Sequence, residues 1–144
     1  MTRILLVDDQ PAVRQGLRMR LALEADLRVV GEANSATEAL VIAQILHPDV
    51  VVMDVEMPGI DGIQATEALR VLAPWSTVVV LSIHDDAVIR QRARTAGAAA
   101  FVGKHGSQDE LLAAIRQAQR LNDPPPFDRG AFHRFSDDEK AGNA

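Results

Sequence analysis

Five short apolar runs, at residues 3 to 7, 27 to 31, 50 to 53, 78 to 81 and 99 to 102, are each followed by a stretch whose apolar residues recur at helical spacing. Alternation of this kind restricts the chain to an α/β fold with a parallel sheet, because parallel neighbours cannot be joined by a hairpin and need a crossover helix. The third and fourth runs, Val50-Val51-Val52-Met53 and Val78-Val79-Val80-Leu81, contain no polar residue. They belong in the middle of the sheet, with helices covering both faces.

The helices carry start and stop signals. Ser35-Ala36-Thr37-Glu38 and Ser107-Gln108-Asp109-Glu110 match the capping box, in which a hydroxyl and a carboxylate satisfy backbone N–H groups at the start of a helix. Pro11 suits the first turn of helix one, where its missing N–H costs nothing, and Val13, Leu17 and Leu21 then form one apolar stripe. Asp61 and Asp86 are candidate caps for helices three and four, and Gly97 stands where a left-handed residue would end helix four.

With 144 residues, the chain has room for one domain and a tail. The domain is expected to span residues 1 to 121, because Asn122-Asp123-Pro124-Pro125-Pro126 cannot continue a helix. The tail, 122 to 144, holds Phe127, Phe132 and Phe135 and is read as disordered, with a docking motif as the alternative. The formal net charge of −5 argues against a nucleic-acid surface. The absence of cysteine excludes disulfides, thiolate metal sites and cysteine nucleophiles. No segment reaches membrane-spanning length and no basic leader precedes the first strand, so the cytoplasm is the expected location.

Chemistry concentrates where the strands end. Asp8 and Asp9 close the first run and Asp54 closes the third. The carboxyl ends of parallel strands open into the ligand crevice of such a sheet, so these acids converge. Clustered carboxylates repel one another and call for a cation, leaving an oxygen available as a nucleophile. Ser82 ends the fourth strand and Lys104 follows the fifth, which brings both to the same edge. The four histidines, His47, His84, His105 and His133, show no metal-ligand spacing, and Met53 and Met57 read as packing residues.

This set, together with Met57-Pro58-Gly59 after Asp54, Gly97-Ala98 before strand five and Phe101 three residues ahead of Lys104, resembles the receiver domain of bacterial two-component response regulators. The likeness covers residues 3 to about 120, and its specificity rests on order and spacing together. Val30-Gly31-Glu32-Ala33 and Ser82-Ile83-His84-Asp85-Asp86 look most like receivers of NarL- or LuxR-type regulators, whose second domain is a helix-turn-helix.

The resemblance implies a doubly wound, flavodoxin-like sheet of order 2-1-3-4-5 with the site at its switch point. It implies that Asp54 accepts a phosphoryl group from a phosphohistidine on a sensor histidine kinase or phosphotransfer protein. Mg²⁺ would be held by Asp9, Asp54 and the backbone carbonyl of Glu56, with Asp8 acting through water. Lys104 and Ser82 would bind phosphoryl oxygens, and Ser82 with Phe101 would form the switch, without any phenol at position 101. The output surface would be helix four, strand five and helix five, where Arg90 and Arg94 share a face; a solvated helix face is the commoner meaning of such a pair, and a homodimer contact on phosphorylation is the alternative. Such a protein is a phosphoacceptor and not a multiple-turnover enzyme.

Two positions depart from the family pattern. His105 stands where a proline often follows the strand-five lysine, and bulky Ile83 follows Ser82. Glu56 and His84 flank the entrance and are expected to set the lifetime of the acyl phosphate. Three other readings compete: a haloacid-dehalogenase-type phosphatase, a receiver that binds partners unphosphorylated, and a DNA-binding regulator represented by its receiver. Against the phosphatase, Asp8 and Asp9 are adjacent, whereas its nucleophile and acid are separated by one residue.

Overall fold

A computed structural model describes residues 1–122 of the chain. Its elements alternate as expected: β1 (Thr2–Val7), α1 (Pro11–Leu21), β2 (Leu27–Ala33), α2 (Ala36–Leu46), β3 (Val50–Asp54), α3 (Gly62–Leu72), β4 (Thr77–Ser82), α4 (Ala87–Ala96), β5 (Ala100–Gly103) and α5 (Gln108–Asn122). The five strands form one parallel sheet in the order β2-β1-β3-β4-β5. The parallel sheet is the one the strand pattern anticipates, and its order is the doubly wound, flavodoxin-like one that the resemblance implies. Asn122 ends the described chain, and the tail with Phe127, Phe132, His133 and Phe135 lies outside the described residues.

Side-chain alternation along each strand divides the interior into two layers. Leu5, Val7, Val51, Met53, Val78 and Val80 meet α2, α3 and α4 on one face. Ile4, Leu6, Val50, Val52, Val79 and Leu81 meet α1 and α5 on the other, with Leu21, Leu112 and Ile115 filling that layer. Each fully buried Val, Leu or Ile side chain stabilises the fold by about 1.5–3 kcal/mol relative to leaving it exposed. All five residues of β3 are buried, so the unbroken apolar run has its physical explanation in the two-sided cover.

The caps locate the helices. Glu38 N–H donates to Ser35 Oγ at 3.1 Å, while the Glu38 carboxylate accepts from Asn34 N–H at 2.8 Å, one residue before the partner an ideal capping box would use. The complete box belongs to α3, where Gln64 N–H donates to Asp61 Oδ1 and Asp61 N–H donates to Gln64 Oε1. Ile89 N–H donates to Asp86 at α4, and Glu110 N–H to Ser107 at α5. Gly97 closes α4 at φ 104°, a left-handed conformation that a side chain would strain.

Two local features go beyond the sequence pattern. β2 runs two residues past the apolar stretch, and its register against β1 shifts between Ile4 and Leu5. Ile4 pairs with Val29 and Leu5 with Gly31, so Val30 is the extra residue of a bulge. α2 ends on His47 in the left-handed region at φ 51°. There the imidazole stacks on Trp75, with centroids 4.0 Å apart, and Arg3 Nη1 donates to the His47 carbonyl at 2.7 Å. These contacts hold a residue with a Cβ where glycine would be the usual choice.

Candidate functional site

Register brings the polar residues to one line. Val7 pairs with Met53, Asp54 with Leu81 and Ser82 with Gly103, so Asp8, Asp54, Ser82 and Lys104 emerge side by side at the carboxyl edge. Lys104 N–H donates to the Ser82 carbonyl at 2.8 Å, carrying the ladder one step beyond β5. The backbone beneath is tight. A Cβ placed on Gly62 would lie 2.0 Å from the Asp54 carbonyl oxygen, so glycine is required for the start of α3 to sit against β3.

Asp8, Asp54 and Ser82 are buried and Asp9 is half-buried. Among the described residues, Asp8, Asp9 and Asp54 each offer a carboxylate oxygen within 4.8 Å of the others. The Lys104 ammonium lies 2.8 Å from Asp54 Oδ1 and 3.2 Å from Asp8 Oδ2. Burial pushes the Asp54 carboxyl up to about 6; the Lys104 hydrogen bond opposes this, and the charges of Asp8 and Glu56 reinforce it. Burial alone would lower Lys104, but its bonds to Asp54 and Asp8 outweigh that and raise it. Gln10 N–H donates to Asp8 Oδ1 at 2.9 Å, and Arg14 holds the Asp8 carbonyl at 2.6 Å. Asp9 Oδ1, by contrast, is shielded from water and has no hydrogen-bond partner. A buried carboxylate oxygen without a donor, beside two further carboxylates, fits a hard divalent cation such as Mg²⁺.

Glu56 closes the other side. Its N–H donates to Asp54 Oδ1 at 3.3 Å. Its carboxylate accepts from the Ser82 hydroxyl and, at 3.1 Å, from Ile83 N–H. The Ser82 oxygen in turn accepts from His84 N–H at 2.9 Å. His84 therefore enters through its backbone, and the residue itself is exposed. The Lys104-His105 peptide is trans, since the described chain contains no cis bond.

Phe101 is half-buried, with the Arg90 guanidinium 4.8 Å above its ring. Asp85 grips that guanidinium through two bonds, at 2.5 and 3.0 Å. Arg90 is thus engaged within its own domain, Arg94 is exposed, and Arg92 turns toward Asp61 at 3.5 Å. Sequence reasoning identified Asp8, Asp9, Asp54, Ser82, Lys104 and Glu56, and all meet here. It missed Asp85, whose position five residues before Arg90 gave no helical-pair signal, and the close approach of Gly62. A cavity of about 360 Å³ opens beside Asp54 and Lys104, between Val13 and Leu17 of α1 and Leu111 of α5.

A parallel sheet of order β2-β1-β3-β4-β5 with an acidic cluster and a lysine at its switch point defines a flavodoxin-like domain. The response regulator receiver domain family matches residues 4–116, and the chain belongs to that family, the receivers of two-component signal transduction. It is 41% identical to the response regulator GacA of Pseudomonas aeruginosa over 117 residues, which are 81% of this chain and 55% of that protein. The response regulator domain of Thermotoga maritima CheB superposes with a TM-score of 0.77 at 36% identity, covering 83% of this chain and 97% of that one. A LuxR-family two-component response regulator from Aurantimonas sp. SI85-9A1 gives a TM-score of 0.80 at 35% identity, covering 83% and 86%. The chain spans about half the length of the curated relatives it matches. No helix among the described residues is long and apolar enough to cross a membrane.

Proposed function

We propose that this receiver takes a phosphoryl group from a phosphohistidine of a sensor histidine kinase or phosphotransfer protein onto Asp54. The observation that carries this reading is the Lys104 ammonium held between the buried Asp54 and Asp8 carboxylates, beside the unpartnered oxygen of Asp9. An Asp54 oxygen forms the new P–O bond as the P–N bond to the imidazole breaks. The bonding pair stays on that imidazole nitrogen, and the ring leaves as neutral imidazole because its other nitrogen carries a proton taken up from water. Lys104 places a compact positive charge against a phosphoryl oxygen, and Ser82 donates to another. Asp9, Asp54 and the Glu56 carbonyl would hold Mg²⁺, with Asp8 acting through water, and the ion would supply charge neutralisation for the transferred group.

Asp54 then carries one phosphoryl equivalent and does not turn over repeatedly. Ser82 moving to the phosphate and Phe101 moving inward alter the α4, β5 and α5 face, where a partner or a second copy binds. Glu56 and His84, at the mouth, set how long the acyl phosphate survives. In a longer protein a DNA-binding domain would read out the switch as transcriptional control, a proposal consistent with the LuxR family name of the Aurantimonas regulator. Incubation with acetyl phosphate or phosphoramidate and Mg²⁺, followed by mass spectrometry, tests the reading. One labile equivalent on the wild-type protein and none on Asp54→Ala is expected. Catalytic turnover of phosphate esters, or label that survives Asp54→Ala, would refute it.

A further inference from the structure

A phosphoryl group on Asp54 needs hydrogen-bond donors, and those nearest at the end of β4 already have an acceptor. The two oxygens of the Glu56 carboxylate take the Ser82 hydroxyl and the Ile83 N–H, one each. Ser82 is fully buried and its oxygen also accepts from His84 N–H, so the hydroxyl proton has a single direction and points at Glu56. A carboxylate bound by a hydroxyl and a backbone N–H presents the same chemistry as two oxygens of a phosphoryl group: planar or tetrahedral, it is an anion seated on donors suited to an anion. Glu56 starts two residues after Asp54, and its own N–H anchors to the Asp54 side chain, so the arm that fills the seat is tethered to the phosphoacceptor.

We infer that the Glu56 carboxylate is an internal stand-in for the phosphoryl group, a latch that holds Ser82 in its resting orientation and must give way as Asp54 is phosphorylated. Glu56 is thus a positioning residue acting through Ser82, an assignment that rests on the phosphoacceptor reading of Asp54. The latch keeps the buried hydroxyl satisfied at rest, which avoids the cost of an orphaned polar group. It also makes the incoming phosphoryl group compete with a carboxylate for the same donors, so phosphorylation and release of the β4–α4 segment become one event.

The test measures the rate of Asp54 labelling by phosphoramidate with Mg²⁺ in wild type, Glu56→Ala, Glu56→Gln, Ser82→Ala and the Ser82→Ala/Glu56→Ala pair. Losing a charge-assisted acceptor is expected to speed labelling by about tenfold in Glu56→Ala, with a smaller gain in Glu56→Gln, which keeps a neutral acceptor. In the Ser82→Ala background, removal of Glu56 is expected to change the rate by no more than about twofold, because the hydroxyl it latches is gone. An equal gain with and without Ser82 would overturn the latch and leave general charge repulsion as the cause. Labelled wild type with no faster Glu56 variant overturns the latch alone. Unlabelled wild type overturns the phosphoacceptor reading and the latch with it. Should Glu56→Ala fail to fold, the comparison of wild type with Glu56→Gln decides, and equal rates there also overturn the inference.

Discussion

The two edges of the sheet are built to opposite electrostatic rules. At the amino edge, charges and carbonyls are matched: Asp49 takes Arg3 N–H at 2.8 Å, Asn122 caps the Asp49 carbonyl at 2.5 Å, and Arg116 binds Asp26 and Glu24 at 2.9 and 2.7 Å. At the carboxyl edge, the Lys104 ammonium meets the carboxylates of Asp8 and Asp54, Glu56 turns to Ser82, and one Asp9 oxygen goes without a donor. Hydrogen bonding and charge pairing at the first edge hold the fold together. The second edge carries an excess of like charge that burial makes more costly, and binding a cation and a phosphoryl group relieves or exploits it. The contrast is electrostatic and does not extend to packing, since the backbone under Asp54 leaves no room for a Cβ on Gly62.

The largest expected effect probes that last point. Gly62→Ala forces a Cβ against the Asp54 carbonyl and the Met53 side chain, and should lower stability by on the order of 3 kcal/mol in urea unfolding. A neutral result would mean that the carboxyl edge is loosely packed as well as poorly balanced in charge.

Next in size is Asp54→Asn in metal-free buffer. The native Asp54 carboxyl sits at about 6, above its ordinary 3.8, so the folded state holds that proton more tightly than the unfolded chain does. The resulting penalty is absent below about pH 4, grows between about pH 4 and 6, and is complete above that range. Asp54→Asn should therefore gain on the order of 2 kcal/mol at about pH 7 and almost nothing at about pH 4. Mg²⁺ should stabilise the wild type more than the variant, narrowing the gap in thermal melts. A variant less stable than wild type without metal would show that the carboxyl edge is not under electrostatic strain.

The smallest effect belongs to the amino edge. Hydrogen bonding to Arg116 holds the Asp26 carboxyl below its usual value, and Arg20 with Arg116 does the same for Glu24. Lowered carboxyls contribute stability above their unfolded pKa and lose it as pH falls through the folded one. Arg116→Gln should lower the melting temperature slightly at about pH 7, with the difference fading below about pH 4. A difference that persists in acid would assign the effect to lost packing of the Arg116 stem.

The strands and the carboxyl edge were legible in the sequence; the charge pairs of the amino edge were not. Val50 to Met53 and Val78 to Leu81 read as central strands because cover on both faces removes every reason for a polar residue. Asp8, Asp54, Ser82 and Lys104 stood out because each ends an apolar run, and parallel topology sends all such ends to one edge. The Val30 bulge was hidden, since a register shift changes no residue type. The left-handed His47 was hidden because its support comes from Trp75, which is distant in sequence. The Glu56–Ser82 bond joins residues 26 apart, and it depends on two rotamers that no spacing rule encodes.

The sequence by itself determined the alternation of elements, the central strands, the capping residues and the identity of the acids and lysine at the strand ends, because these follow from local periodicity and strand direction. Tertiary structure decided which donors those acids found and which went without. The pairing of Lys104 with Asp54 and Asp8 and the seating of Glu56 on Ser82 are contacts of about three ångströms between separate strand ends, and the orphaned oxygen of Asp9 is the lack of one. Electrostatics and hydrogen bonding change steeply over such lengths, and only the folded sheet sets them.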